Sequence, residues 1–157
     1  MGCKEMDAVT YPDPAVVEFI QHSMIPLRIH SDNEVLALKF KLRWTPTLIT
    51  LDKEGNEHYR TIGFLRPQAL ISSLILGIGK MRFDEGQYQS AISNFDKLIA
   101  MSSKNDFVAE AVYYRGVARS KLTNNFESMK EAYDKLLQDY PDSEWTQRAS
   151  PYKGIDI

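Results

Sequence analysis

The order of apolar and polar positions changes character near residue 67. Before it, short strand-like runs stand among helical patterns; after it, every segment repeats at the helical period of about 3.6. Cys3 to Val9 carries a short helical pattern that must stop at Tyr11-Pro12-Asp13-Pro14. Each proline lacks an N–H and restricts the residue before it. Asp13 then reads as the cap of a new helix with Pro14 at its first position, and Val16, Val17, Phe19, Ile20 and Met24 supply its apolar face. Ile25 to Ser31 alternates apolar and polar residues, which predicts a half-buried strand. Asp32 to Lys41 predicts a short helix capped by Asp32, with Val35, Leu36, Leu38 and Phe40 apolar. Thr47 to Leu51 is β-branched and apolar, Asp52 to Gly55 is a turn, and His58 to Ile62 is the returning strand of an antiparallel hairpin.

From Pro67 onward the pattern predicts helices over 68–83, 87–101, 106–122 and 126–140, with a last short one over 143–149. The loops between them are short enough to make neighbouring helices antiparallel. Tyr88, Ala91, Ile92, Phe95, Leu98 and Ile99 recur 38 residues later as Phe126, Met129, Lys130, Tyr133, Leu136 and Leu137. Lys130 alone breaks the apolar match. A period in the mid-thirties with two helices per unit points to stacked helical hairpins.

Composition narrows the chemistry. The 157 residues carry 19 Lys and Arg against 21 Asp and Glu, a formal charge of −2, so no basic footprint for nucleic acid is present. The longest apolar stretch, Ala69 to Ile78, is broken by Ser72, Ser73 and Gly77 and does not read as a membrane span. The first ten residues show no basic-then-apolar targeting layout. One cysteine, Cys3, excludes an internal disulfide and a multi-thiolate zinc site, and His22, His30 and His58 lack ligand spacing, so no metal is expected. No cofactor motif appears. A nucleophile elbow with an ordered triad and a glycine-rich phosphate loop are both missing from the sequence.

The second half, residues 68–150, resembles tetratricopeptide repeats. Gly116 stands at the small position where the two helices of a unit meet, Tyr133 at the aromatic position of the second helix, and Pro141 at the helix-ending proline. Gly86-Gln-Tyr88, Ala91-Ile92 and Phe95 look like the usual start of that second helix. The run Leu136 to Ser143 is similar to repeat ends in bacterial envelope proteins of this type. Arg115 and Arg119 depart from the pattern, standing where apolar residues are usual. The resemblance implies a protein partner held by the repeats. Tyr113, Tyr114, Arg115 and Arg119, together on one helix, are the candidate contacts, since Tyr and Arg are common at interfaces. The alternative is an aromatic core flanked by solvated basic residues.

The first half, residues 1–76, resembles the thioredoxin superfamily of bacterial type. The residues that carry this are Gly2-Cys3-Lys4-Glu5-Met6, Tyr11-Pro12-Asp13-Pro14 with Val16, Trp44-Thr45-Pro46-Thr47, Asp52-Lys53-Glu54-Gly55 and Gly63. The resemblance implies that Cys3 is the resolving thiol of a redox pair, and that the proline of Thr-Pro-Thr is cis beside it. It also implies that Trp44, Thr45, Pro46 and Gly63 line a groove for an extended protein or peptide substrate. The nucleophilic cysteine of the family pattern would fall one residue before Met1, and the strand leading into it would also lie upstream. On that reading the chain is the truncated remainder of a longer protein, whose compartment is a bacterial periplasm or envelope, or the cytoplasm if the chain start is genuine. A gap would then separate the strand at 25–31 from the hairpin, to be closed by rearrangement or by a homodimer through the unpaired edge.

A thiol at a helix start, beside Lys4, is a candidate for reactivity. The plain alternative is a small packing residue. Turnover needs a second thiol to release a mixed disulfide, so this chain is expected to be inactive as a dithiol enzyme. The expected architecture is a thioredoxin-like α/β unit lacking its first strands, followed by an all-α tetratricopeptide-like array that shares the helix from about residue 68. The expected function is thiol–disulfide exchange on proteins with repeat-mediated binding. The alternative is a non-catalytic interaction or scaffold module.

Overall fold

Tyr11 closes one helical segment and Asp13 caps the next. In the computed structural model, which describes residues 1–101 and 105–155, helix α1 (Gly2–Glu5) passes into a π-helical turn over Met6–Thr10. The chain then crosses the two prolines into α2 (Pro14–Ser23). The Asp13 carboxylate accepts the N–H groups of Ala15 at 2.9 Å and Val16 at 3.3 Å, satisfying donors that a helix start leaves unpaired. Helix α3 (Glu34–Lys39) follows, then strands β1 (Thr47–Leu51) and β2 (Glu57–Ile62) of a two-stranded antiparallel sheet. Five further helices follow among the described residues: α4 (Pro67–Asp84), α5 (Tyr88–Ala100), α6 (Asp106–Thr123), α7 (Glu127–Asp139) and α8 (Glu144–Ala149), the last running into a 3₁₀ turn at Ser150–Tyr152. The protein is therefore mostly helical. The connection after Met101 lies partly outside the described residues.

Two compact units emerge, Met1–Ile49 with Arg60–Ile71, and Thr50–Tyr59 with Ser72–Ile157. In the first, Met6, Val16, Leu70 and Ile71 form the buried apolar set. The buried Thr10 hydroxyl donates to the Leu65 carbonyl at 2.5 Å, which satisfies a polar group that would otherwise be costly inside. The Leu65 N–H points at the Met6 sulfur, 3.4 Å away.

Two expectations are corrected here. Ile25–Ser31 forms no strand; 25–30 has no regular secondary structure, Ser31 enters a turn, and Ile25 is 96% and Leu27 79% exposed. Alternation makes a segment competent for a sheet, but the strand forms only where a neighbour supplies the other half of the ladder. Among the described residues no strand pairs with it. The cap of α3 is Asn33, whose side chain accepts the Leu36 N–H at 3.1 Å, rather than Asp32, which pairs with His30 at 2.9 Å in solvent.

The second unit is built from helical hairpins. At the end of α4 the chain turns through Gly86 into α5; α6 starts from an Asn105 cap and ends on left-handed Asn124; α8 starts from a Ser143 cap. The amphipathic α5 buries Ala91, Ile92, Phe95 and Leu98, and α7 buries Met129, Ala132, Tyr133 and Leu136. Apart from Ala132 these are among the repeated positions read from the sequence, whereas two others, Phe126 and Leu137, are exposed. Lys130, the break in that match, is half-buried. Two glycines set the helix crossings. A Cβ on Gly79 would lie 2.5 Å from the Phe95 ring, and one on Gly116 would lie 2.8 Å from Ala132 Cβ. Each of these glycines lets its helix approach the next one closely, Gly79 against the Phe95 ring of α5 and Gly116 against Ser128, Met129 and Ala132 of α7. Ala109, Val112, Ala132, Tyr133, Leu136, Trp145 and Ala149 form the core where α8 closes on α6 and α7.

Candidate functional site

The loop between α3 and β1 and the residues after β2 shape an open cleft of about 530 Å³ in the first unit. Its walls are Met1, Gly2, Leu42, Arg43, Trp44, Thr45, Pro46, Gly63 and Phe64. The four residues expected to line a groove, Trp44, Thr45, Pro46 and Gly63, lie together in this wall. Cys3, the candidate thiol, is half-buried on the first turn of α1 next to Gly2 and is not part of the cleft wall.

The local geometry follows from the residues. The Thr45–Pro46 peptide bond is cis. The Thr47 hydroxyl donates to the Trp44 carbonyl at 2.6 Å, closing a turn that carries the Thr45–Pro46 pair. The Gly63 N–H donates to the Pro46 carbonyl at 2.8 Å and fixes the two walls to each other. Gly63 sits at φ 99°, a conformation that side chains resist, and a Cβ there would meet open space. A Cβ on Gly2 would come within 2.8 Å of Pro46 Cδ, so glycine lets α1 approach the proline ring. The Trp44 side chain is 69% exposed and Phe64 39% exposed, leaving an apolar rim. Sequence reasoning missed Arg43, Leu42 and Phe64; their positions beside Trp44 and Gly63 were the available signal.

An exposed ion pair stands near Tyr11 in the same unit. The Arg28 guanidinium makes two parallel bonds to the Asp7 carboxylate, at 2.7 and 2.9 Å. Those bonds hold Asp7 below the ordinary carboxylate range and raise Arg28 further. The positive charge acts on Tyr11, whose hydroxyl burial nonetheless pushes up.

The second set of candidates lies on α6. Tyr114 is packed among rings, edge-on to Phe83 at 5.5 Å and within 5.7 Å of Trp145, with the Lys80 ammonium 4.6 Å above its face. Tyr113 lies 5.3 Å from Trp145, and burial raises its hydroxyl pKa. Arg115 donates to Asp96 of α5 at 2.8 Å; Arg119 lies 3.8 Å from Asp96 and 3.9 Å from Glu131 of α7. All four side chains therefore make contacts within their own unit, the tyrosines among rings and the arginines to carboxylates of α5 and α7. The Lys80 ammonium also pairs with Glu110 and covers the Tyr59 ring at 5.0 Å. That group was not foreseen, because its members are spread over three elements.

Residues 110–143 match the family model of the tetratricopeptide repeat. The stretch runs from the first turns of α6 through α7 to the cap of α8, and Gly116 stands at its tight helix crossing. No curated protein and no solved structure matches the chain. The repeat match supports protein–protein interaction as the role of this hairpin. Among the described residues no helix is long and apolar enough to cross a membrane.

Proposed function

We propose that the chain is a protein-binding module in which tetratricopeptide-type hairpins engage a partner protein and a thioredoxin-like unit offers a cleft to an extended peptide. The observation that carries this reading is the match over residues 110–143, together with the second close-packed hairpin that α4 and α5 make around Gly79 and Phe95. The cleft supports its peptide half: an apolar rim of Trp44 and Phe64 flanks backbone held open by Gly63 and Pro46. Extended peptides are recognised through main-chain hydrogen bonds, with side-chain pockets adding specificity. The test is selection of binders from a displayed random-peptide library on the full chain, followed by mapping of amide shifts. Shifts gathered on residues 42–46 and 63–64 or on α4 and α6 are expected. An absence of selectable binders, or shifts scattered over both units, overturns it.

A second reading, thiol–disulfide exchange, is favoured by Cys3 lying on the helix whose Gly2 packs on Pro46. In that step the Cys3 thiolate attacks one sulfur of a substrate disulfide, forms a mixed disulfide and releases the other sulfur as a thiolate. With one cysteine in the sequence the reaction stops there. The folded chain should take up one equivalent of an aromatic disulfide reagent and show no catalytic insulin reduction. A Cys3 that reacts only after denaturation removes the thiol from the mechanism.

A further inference from the structure

His58 lies between two carboxylates in the second unit. Its Nδ1 is 2.8 Å from Asp84 Oδ2, at the end of α4, and its Nε2 is 3.1 Å from Asp52 Oδ2, at the turn after β1. The side chain is only 12% exposed. Ionised carboxylates accept hydrogen bonds and donate none, so both ring nitrogens must carry a proton for both contacts to be favourable. Only the imidazolium does so. A neutral ring would turn one lone pair toward a negative oxygen.

The two partners are held differently. Asp52 is built into the turn: its Oδ1 accepts the N–H groups of Glu54 at 2.9 Å and Asn56 at 2.8 Å, and its Oδ2 accepts the Asn56 amide at 2.8 Å. Asp84 is about half exposed and stands where the chain leaves α4 for the Gly86 turn. Water can replace the ring at Asp84, whereas three other donors keep Asp52 in place.

We propose that His58 is a proton-operated latch that ties the β1–β2 turn to the C-terminal end of α4 and lets go of Asp84 when the ring loses its proton. The charged groups facing the ring are Asp84 from α4 and Asp52 from the turn. Both act to hold the proton, and the hydrogen bond to Asp84 is the larger influence. The folded-state pKa is raised above the ordinary value, so the tie is complete below about 6.5 and is lost as pH climbs through the folded value. The consequence is local: the corner between α4 and α5 loosens with rising pH while the turn itself stays formed.

The experiment follows the His58 ring proton by NMR from pH 5 to 9 in the full chain, with amide exchange of residues 82–87 and 52–56 read at each pH. The expected midpoint lies above the ordinary 6.5, and protection at 82–87 falls about tenfold across it, as loss of a charge-assisted bond implies. Protection at 52–56 holds. Asp84→Asn, at a solvated helix end, should lower the midpoint and abolish the change in protection. A midpoint at the ordinary value, insensitive to Asp84→Asn, overturns the proposal. So does protection at 82–87 that stays flat through the titration. His58→Gln, which has no ring to titrate, supplies the control in which protection at 82–87 does not change with pH.

Discussion

A Cβ placed on Gly116 falls 2.8 Å from the Cβ of Ala132, with the Ser128 carbonyl at 3.0 Å and the Met129 sulfur at 3.1 Å. The first two neighbours are rigid parts of α7, so a side chain on Gly116 must separate the helices. Gly116→Val should cost about 2–3 kcal/mol, the upper range for overpacking a filled core. Urea unfolding followed by helical circular dichroism reads it, and an unchanged midpoint would show that α6 and α7 do not cross this closely.

Ser120 presents the opposite case. Its hydroxyl is buried with no hydrogen-bond partner among the described residues. Replacing it with alanine removes an unpaired polar atom and improves helix propensity. Ser120→Ala is expected to stabilise by about 0.5–1 kcal/mol, seen as a higher urea midpoint. A loss of stability would mean that the hydroxyl has a partner in solution.

Acid should loosen the hairpin turn through Asp52. The Asn56 amide and N–H, the Glu54 N–H and His58 stabilise its carboxylate and depress its pKa well below the ordinary 3.8. A depressed acid contributes stability that is present above the unfolded value and lost as pH falls through the folded one. Unfolding midpoints of wild type and Asp52→Asn should therefore differ at pH 6 and converge toward pH 2. Curves that stay parallel over that range would remove Asp52 from the acid response.

The Asp13 cap gives a smaller, local test in the first unit. Asp13→Ala leaves the Ala15 and Val16 N–H groups without their acceptor. About 1 kcal/mol is expected, and Asp13→Ser should recover most of it. Equal loss in both variants would point to a role for the charge instead.

How much of this was legible follows from how far apart the interacting residues lie. The helices after residue 67 were readable because Ala91, Ile92, Phe95 and Leu98, and their counterparts on α7, meet within one helical face. The cap at Asp13 and the left-handed Gly55 in the hairpin turn were readable for the same local reason. The strand at Ile25–Ser31 was misread because its state depends on a neighbour, which alternation cannot report. Tyr113 and Tyr114 looked like contact residues, and only the rings of Phe83 and Trp145 reveal what they touch. The His58 pairs span 6 and 26 residues, and no motif spacing announces them. Trp44, Thr45, Pro46 and Gly63 share one cleft wall although they lie up to 19 positions apart and no local pattern joins them, and Cys3 is not part of it.

The irregular, exposed stretch from Ile25 to Ile29 carries a consequence for handling the protein. Ile25 and Leu27 stand in water, with Ile29 41% exposed, and no backbone hydrogen bond among the described residues holds these three. Colloidal behaviour should accordingly depend steeply on concentration, because sticking together is a second-order event. The residues between the apolar ones act as gatekeepers: Pro26 cannot donate to a growing ladder, and Arg28 is charged. Replacing that pair with valines would turn a tolerated stretch into a nucleus for precipitation, without touching either folded core.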